Sequence, residues 1–234
     1  MPFEKPLLRG VLLKRYKRFL ADVKLDDGRV LTVHCPNSGS MKACCEPGRP
    51  VIVSDSQDAK RKLRYTWEMI QMGETWVGVN TSNPNRAVAQ FIEQGAIAEL
   101  AGYAALKREV KYGKEGRSRI DMLLSGGGKA DCYVEVKNTT MRVGEHSAFP
   151  DAQTERGRKH LEELAREVKG GKRAAMFFFV GRADCSRFRP ADEIDPEYGA
   201  LLRKVVKSGV EALAYRMSVS PDGIELRDRL PVDL

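Results

Sequence analysis

Between residues 7 and 80 the apolar positions fall into short runs broken by turn residues, the pattern of strands rather than of helices. The runs are LLRGVLLK (7–14), RFLADVKL (18–25), RVLTVHC (29–35), PVIVS (50–54), RYTWEMIQM (64–72) and TWVGVN (75–80), punctuated by clusters such as Asp26-Asp27-Gly28 and Glu46-Pro47-Gly48. Strands this short and closely spaced predict a small closed β-barrel; the OB-fold fits the length, as do other small barrels. Thr81-Ser82-Asn83-Pro84-Asn85 is turn chemistry without apolar periodicity, so a domain boundary is expected there, giving domains 1–83 and 84–234. Beyond it helices and strands alternate. A helix is expected over 85–106, interrupted near Gly95, then strands near Lys107–Lys111, over Ser118–Leu124 and over Cys132–Asn138. Pro150-Asp151 is expected to open a helix whose Leu161, Leu164, Ala165 and Val168 form one apolar stripe. RAAMFFFV (173–180) reads as a strand covered on both faces. A helix over Asp195–Lys207 and a hairpin turning at Pro221-Asp222-Gly223 complete the order, which predicts an α+β chain with a mixed sheet flanked by helices.

Composition narrows the class. Of 234 residues 42 % are hydrophobic and 31 % charged, values of packed globular domains rather than of a disordered chain. No window is apolar for long enough to span a membrane and the charged start is unlike a signal peptide, so a cytoplasmic protein is expected. The 5 cysteines are an odd number in a chain large enough to need no staples, so free thiols are expected. His34, Cys35, Cys44 and Cys45 lack the paired spacing of a zinc site. The net charge is +8, of which +5 falls in residues 1–80; such a surface favours polyanions, nucleic acid first.

The chemistry centres on two strands, SRIDMLL and CYVEVKN, joined by Ser125-Gly126-Gly127-Gly128-Lys129. A hairpin centred on Gly128 sets Asp121 opposite Glu135. Alternation then places Arg119, Asp121 and Leu123 on one face with Tyr133, Glu135 and Lys137. Ile120, Met122 and Leu124 share the other, apolar face with Cys132, Val134 and Val136. Opposed carboxylates repel, and a hard divalent cation, Mg²⁺ or Mn²⁺, is the economical compensation. Lys137 would then stand where an ammonium orients an attacking hydroxide or steadies a phosphate. The alternative reading is a half-exposed polar strand in which Asp121 pairs with Arg119.

Asp121 followed by Glu135-Val136-Lys137 resembles the PD-(D/E)XK signature of restriction-endonuclease-like nucleases, although Ile120 stands where that signature has proline. RFLADV (18–23), HCPNSGSM (34–41), YTWEM (65–69), VGVNTSNPN (77–85), SRID (118–121), YVEVKN (133–138), FPDAQTERGRKHL (149–161) and GVEALAY (209–215) resemble the sugar fermentation stimulation protein A family. The resemblance implies an OB-like barrel, a nuclease-like carboxy-terminal domain, DNA binding without sequence preference and a link to maltose metabolism. It implies catalytic roles for Asp121, Glu135 and Lys137 and, from the helix before the sheet, Glu99 as a further metal-proximal acid. Cleavage stays an open hypothesis, with a non-catalytic DNA-binding regulator as its competitor.

Basic residues interleave with aromatics at Lys14-Arg15-Tyr16-Lys17-Arg18-Phe19 and Lys60-Arg61-Lys62-Leu63-Arg64-Tyr65-Thr66-Trp67. Lys14, Arg15, Lys17, Arg18, Arg61, Arg64 and Tyr65 are the DNA-contact candidates of the first domain. Phe19 and Trp67 could instead fill the barrel. Arg156 and His160, one helical turn apart, share a face that could meet a phosphate, with Arg158 and Lys159 in solvent. Asn37-Ser38-Gly39-Ser40-Met41 resembles a loop able to offer backbone N–H groups to a phosphate but lacks P-loop spacing; spacing favours a structural turn, although the family string includes it. Sequence does not decide between a monomer and a homodimer.

Overall fold

The structure, a computed structural model, describes residues 1–113, 116 and 118–234. The first domain contains β1 (Leu7–Tyr16), β2 (Leu20–Leu25), β3 (Val30–His34), β4 (Pro50–Asp55), β5 (Tyr65–Met72) and β6 (Thr75–Gly78). They lie in the order β3-β2-β1-β4-β5-β6, and a parallel pairing of His34 with Thr66 joins β3 to β5, closing five strands into a barrel. Closure removes the free edges that an open sheet of such short strands would expose. Leu12, Val23, Val33, Val51, Val53 and Trp67 fill the interior. The Trp67 indole N–H donates to the Met69 carbonyl at 2.9 Å, whereas Phe19 lies on the surface, 46 % exposed. Gly10 permits β1 to cross β2: a Cβ there would sit 2.5 Å from the Lys24 carbonyl oxygen.

The second domain starts with α1 (Asn83–Glu93) and a 3₁₀ turn at Ala98–Leu100. The expected helix over 85–106 therefore ends early, just before Gly95, whose φ of +71° is outside helical space. Strands β7 (Ala105–Tyr112), β8 (Ser118–Ser125), β9 (Cys132–Thr139), β12 (Arg173–Val180), β14 (Glu211–Ser220) and β15 (Gly223–Leu230) form one mixed sheet, ordered β15-β14-β12-β9-β8-β7. Its centre, β9-β12-β14, is parallel, which is why β12 reads as an unbroken apolar run. A small sheet of β10 (Met141–Val143), β11 (His146–Phe149) and β13 (Arg187–Pro190) was not expected; its strands are too short to show a period.

On one face α2 (Glu155–Lys169) and α3 (Pro196–Lys207) bury Leu161, Leu164, Tyr198 and Leu202 against Phe178 and Ala174. Both helices are capped at their amino ends: Thr154 accepts from the Gly157 amide and Asp195 from the Tyr198 amide, each at 3.0 Å. Thr154 thus starts α2, and not Pro150-Asp151 as expected. On the other face α1 packs Ala87, Val88, Phe91 and Ile92 against Met122, Val134, Phe177 and Leu213, and Ile52 and Met69 of the barrel join the same cluster. The two domains therefore share a core. Met1 also belongs to this layer, exchanging backbone hydrogen bonds with Ile224 at 2.6 and 2.8 Å. No helix among the described residues is long and apolar enough to cross a membrane.

Candidate active site

The glycine loop sets the β8–β9 register as expected: Leu124 faces Cys132, Leu123 faces Tyr133 and Met122 faces Val134. One step further would oppose Asp121 and Glu135, but the ladder stops, because the Asp121 carboxylate takes the place of a backbone partner. Its Oδ2 accepts the Val136 amide at 2.7 Å and its Oδ1 accepts the Asn85 side-chain amide of α1, also at 2.7 Å. The strand alternation changes at this point. Ile120 packs among Leu161 and Phe178 on the α2 face, while Met122 and Leu124 face α1. Ile120 is thus on the opposite side from that expected, since the simple period cannot survive a break in pairing.

Burial and the nearby charge of Glu135 push the Asp121 carboxyl up to about 6. Glu135 is 2 % exposed. Its Oε1 accepts from Lys137 Nζ at 2.6 Å and contacts Nδ1 of His160. Burial pushes the Glu135 carboxyl up, but the Lys137 ammonium and the His160 hydrogen bond outweigh it and hold the group below the usual range. Arg156 Nε donates to His160 Nε2 at 3.4 Å. A guanidinium only donates, so Nε2 accepts from it, while Nδ1 faces Oε1 of Glu135 and lies 3.3 Å from Lys137 Nζ. Oε2 of Glu135 is buried and has no hydrogen-bond partner among the described residues.

These groups line a cleft of about 610 Å³. Asp121, Glu135, Lys137, Asn138 and Arg156 form one wall, and Arg18 with Asn37-Ser38-Gly39 of the barrel forms the other. Asp151 pins the barrel loop, its Oδ2 accepting the Met41 amide at 3.0 Å and the Ser40 hydroxyl at 3.4 Å. Only glycine fits at 39, where a Cβ would lie 2.5 Å from the same oxygen. The loop read as a plain turn is therefore a wall of the site. The signals that could have found it were the strings HCPNSGSM and FPDAQ; likewise Asn85 lies in VGVNTSNPN.

Other candidates are placed elsewhere. Glu99 accepts the Tyr215 hydroxyl at 2.7 Å and pairs with Arg229 at 2.8 Å, away from the cleft lining; the helix before the sheet supplies Asn85 to Asp121 instead of an acid. Arg15 is engaged within the barrel: its guanidinium donates to the carbonyls of Arg18, Asn37, Gly39 and Ser40 at 2.9–3.2 Å and shapes the loop. Lys14 pairs with Asp22 at 3.4 Å on the surface, and Lys17 and Arg18 form the β1–β2 turn, with φ of +46° and +63°. Arg64 is held by both Asp55 oxygens at 2.5 and 2.6 Å and lies beside the Tyr65 ring. Arg61 is exposed. His160, 5 % exposed, is a buried partner of Glu135 rather than a surface contact. Arg158 is not in open solvent, since Asp195 holds it at 2.8 Å, while Lys159 is exposed.

Among the described residues no group of three or more His, Cys, Asp or Glu is assembled for a metal. What the cleft offers is two carboxylates, one with a buried oxygen that has no partner among the described residues and the other pushed up to about 6 by burial and by its neighbour's charge. That donor set fits a hard divalent cation that retains water ligands, and not a closed cage.

The comparisons agree with this architecture. Residues 13–79 match the SfsA N-terminal OB domain and residues 82–223 the sugar fermentation stimulation protein RE domain. Proteins called sugar fermentation stimulation protein homolog are 55 % identical in Geobacter sulfurreducens, over 99 % of this chain and 98 % of that one. In Pelobacter propionicus the identity is 56 %, over 98 % of each. The structure of Pyrococcus furiosus SfsA in complex with Ca²⁺ superposes with a TM-score of 0.90 at 28 % identity, over 100 % of this chain and 98 % of that one. The chain belongs to the sugar fermentation stimulation protein family.

Proposed function

We propose that the cleft hydrolyses phosphodiester bonds of DNA, without sequence preference, using Mg²⁺ or Mn²⁺ held by Asp121 and Glu135. The observation that carries this reading is the unpartnered Oε2 of Glu135, buried in a wall it shares with Asp121 and Lys137. A buried carboxylate oxygen without a donor costs free energy unless something binds it. Asn85 and the Val136 amide fix the orientation of Asp121; Lys137 and His160 both engage Oε1 of Glu135 and so reserve Oε2. The bound ion would supply an activated water and polarise the phosphate. Lys137 Nζ places a positive charge beside the reacting phosphate, and Arg18 and Arg156 face the backbone from the two walls. The Ca²⁺ in the Pyrococcus furiosus relative supports an oxygen-seeking cation. The substrate would be met in the cytoplasm.

The test incubates purified protein with single-stranded, duplex and branched DNA and Mg²⁺ or Mn²⁺, beside Glu135→Ala and Lys137→Ala. Wild type is expected to cleave and each variant to lose about 10²-fold or more. Equal products from all three would assign the cleavage to a contaminant. DNA binding without any turnover would favour a non-catalytic regulator of sugar metabolism, the reading closest to the relatives' name.

A further inference from the structure

Behind the Glu135–His160 pair lies a second hollow, of about 330 Å³, whose described lining is Lys111 of β7, Gly116, the β8 residues Ser118 and Arg119, and Arg156, Lys159 and His160 of α2. Arg156 lines the cleft as well, so the two hollows share a wall. Their described linings differ in charge. The cleft carries the carboxylates of Asp121, Glu135 and Asp151, whereas none of the described residues lining the second hollow is acidic.

Its cations are loosely held. Arg119 has a side chain 58 % exposed and approaches Glu109 only to 3.6 Å. Lys159 is 55 % exposed and stands 3.9 Å from Glu163. Both separations exceed a good hydrogen bond, so these side chains keep their donors for a ligand. Beneath them the buried Glu163 accepts the Ser118 hydroxyl on Oε1 at 2.5 Å, while its Oε2 has no hydrogen-bond partner among the described residues. Like charges gathered on one surface repel, and a polyanion relieves them. Arg119 adds a planar fork suited to two phosphate oxygens.

We infer that this hollow seats a phosphodiester adjacent to the one in the cleft, so that the nucleic-acid strand leaves the carboxylates over the seam between β8 and α2. The inference rests on the reading of the cleft as a nucleic-acid site. It adds Arg119 and Lys159 as binding residues outside the cleft.

The experiment measures affinity for a fluorescent single-stranded oligonucleotide against salt, without divalent ions, for wild type and Arg119→Gln/Lys159→Gln. Both side chains are exposed, so the fold is expected to tolerate the change. Removing two phosphate contacts should lower the slope of log affinity against log salt by about 1.4. Lys204→Gln/Lys207→Gln, the same charge change at the carboxy end of α3, should leave the slope alone. An unchanged slope in the first variant, or an equal drop in the second, overturns the inference. The loss should be the same for oligonucleotides bearing a 5′-hydroxyl or a 5′-phosphate; a loss confined to the latter would make the hollow a terminal-phosphate site and overturn the assignment to an internal diester. Cleavage is scored separately with Mg²⁺. A wild type that never cleaves sinks the hydrolytic reading and leaves the slope result standing. Cleavage with an unchanged slope sinks only the second hollow.

Discussion

Two glutamates, Glu68 and Glu135, are both almost fully buried and both sit on central strands, yet their surroundings differ. Glu68 of β5 is satisfied on each oxygen: Oε1 accepts the Ser54 hydroxyl at 2.6 Å, and Oε2 accepts the Asn80 and Asn83 amides at 2.8 Å. That network ties the barrel to the first residue of α1, which two residues later sends Asn85 to Asp121. Glu135 is satisfied on one oxygen only. A buried acid that has every partner it needs is part of the framework. One left with a bare oxygen in a cleft wall is poised for something that arrives from outside.

The largest expected effect lies on the framework side. Glu68→Leu strands a hydroxyl and two amides and should cost about 3–5 kcal/mol in denaturant unfolding, while Glu135→Gln, which keeps an acceptor for Lys137 and His160 in place of the lost charge, should cost less in metal-free protein. Equal losses would break the comparison. Next in size, Mg²⁺ or Mn²⁺ at about 100 times its Kd should stabilise wild type by about 2.7 kcal/mol, and Glu135→Gln by nothing measurable; thermal melts with and without the ion decide it. The third effect follows from Asp121. Between the ordinary carboxylate value of about 4 and the raised value of about 6, native protein holds a proton here that the unfolded chain has released. Its contribution is complete below that window and is lost as pH rises through it. Stability of wild type relative to Asp121→Asn should therefore fall by about 2 kcal/mol from pH 4 to pH 7 without metal, and urea midpoints across that range would reveal a slope of the wrong sign. Smallest, Asn85→Ala removes one hydrogen bond from Asp121, costing about 1 kcal/mol; a weaker metal response in this variant would sharpen the link between α1 and the site.

How much of this could be read in the chain varied with how local the cause was. The barrel strands and the β8–β9 register were legible because alternation and a run of three glycines act over a few residues. The side on which Ile120 packs was not, since it depends on Asp121 intercepting the Val136 amide and ending the ladder. Asp121, Glu135 and Lys137 could be gathered from spacing; the burial of His160 against Glu135 required the docking of α2. Glu99 and Arg15 show the limit of reasoning from residue type. Each has the right charge, and each is spent on a partner distant in sequence, Glu99 on Tyr215 and Arg229, Arg15 on the carbonyls of the 37–40 loop. The starting point of α2 was missed for the same reason, because Asp151 is occupied across the domain boundary.

That occupation has a consequence for how the molecule can be taken apart. Asp151 and Gly39 meet so closely that one half of the chain furnishes the rim and the other the floor of a single chamber. A chimera pairing this barrel with an unrelated sheet would uncover Ile52 and Met69 as well as lose the joint between the halves, and a side chain grafted onto position 39 would act as a wedge. The halves are distinct as architecture and indivisible as a tool.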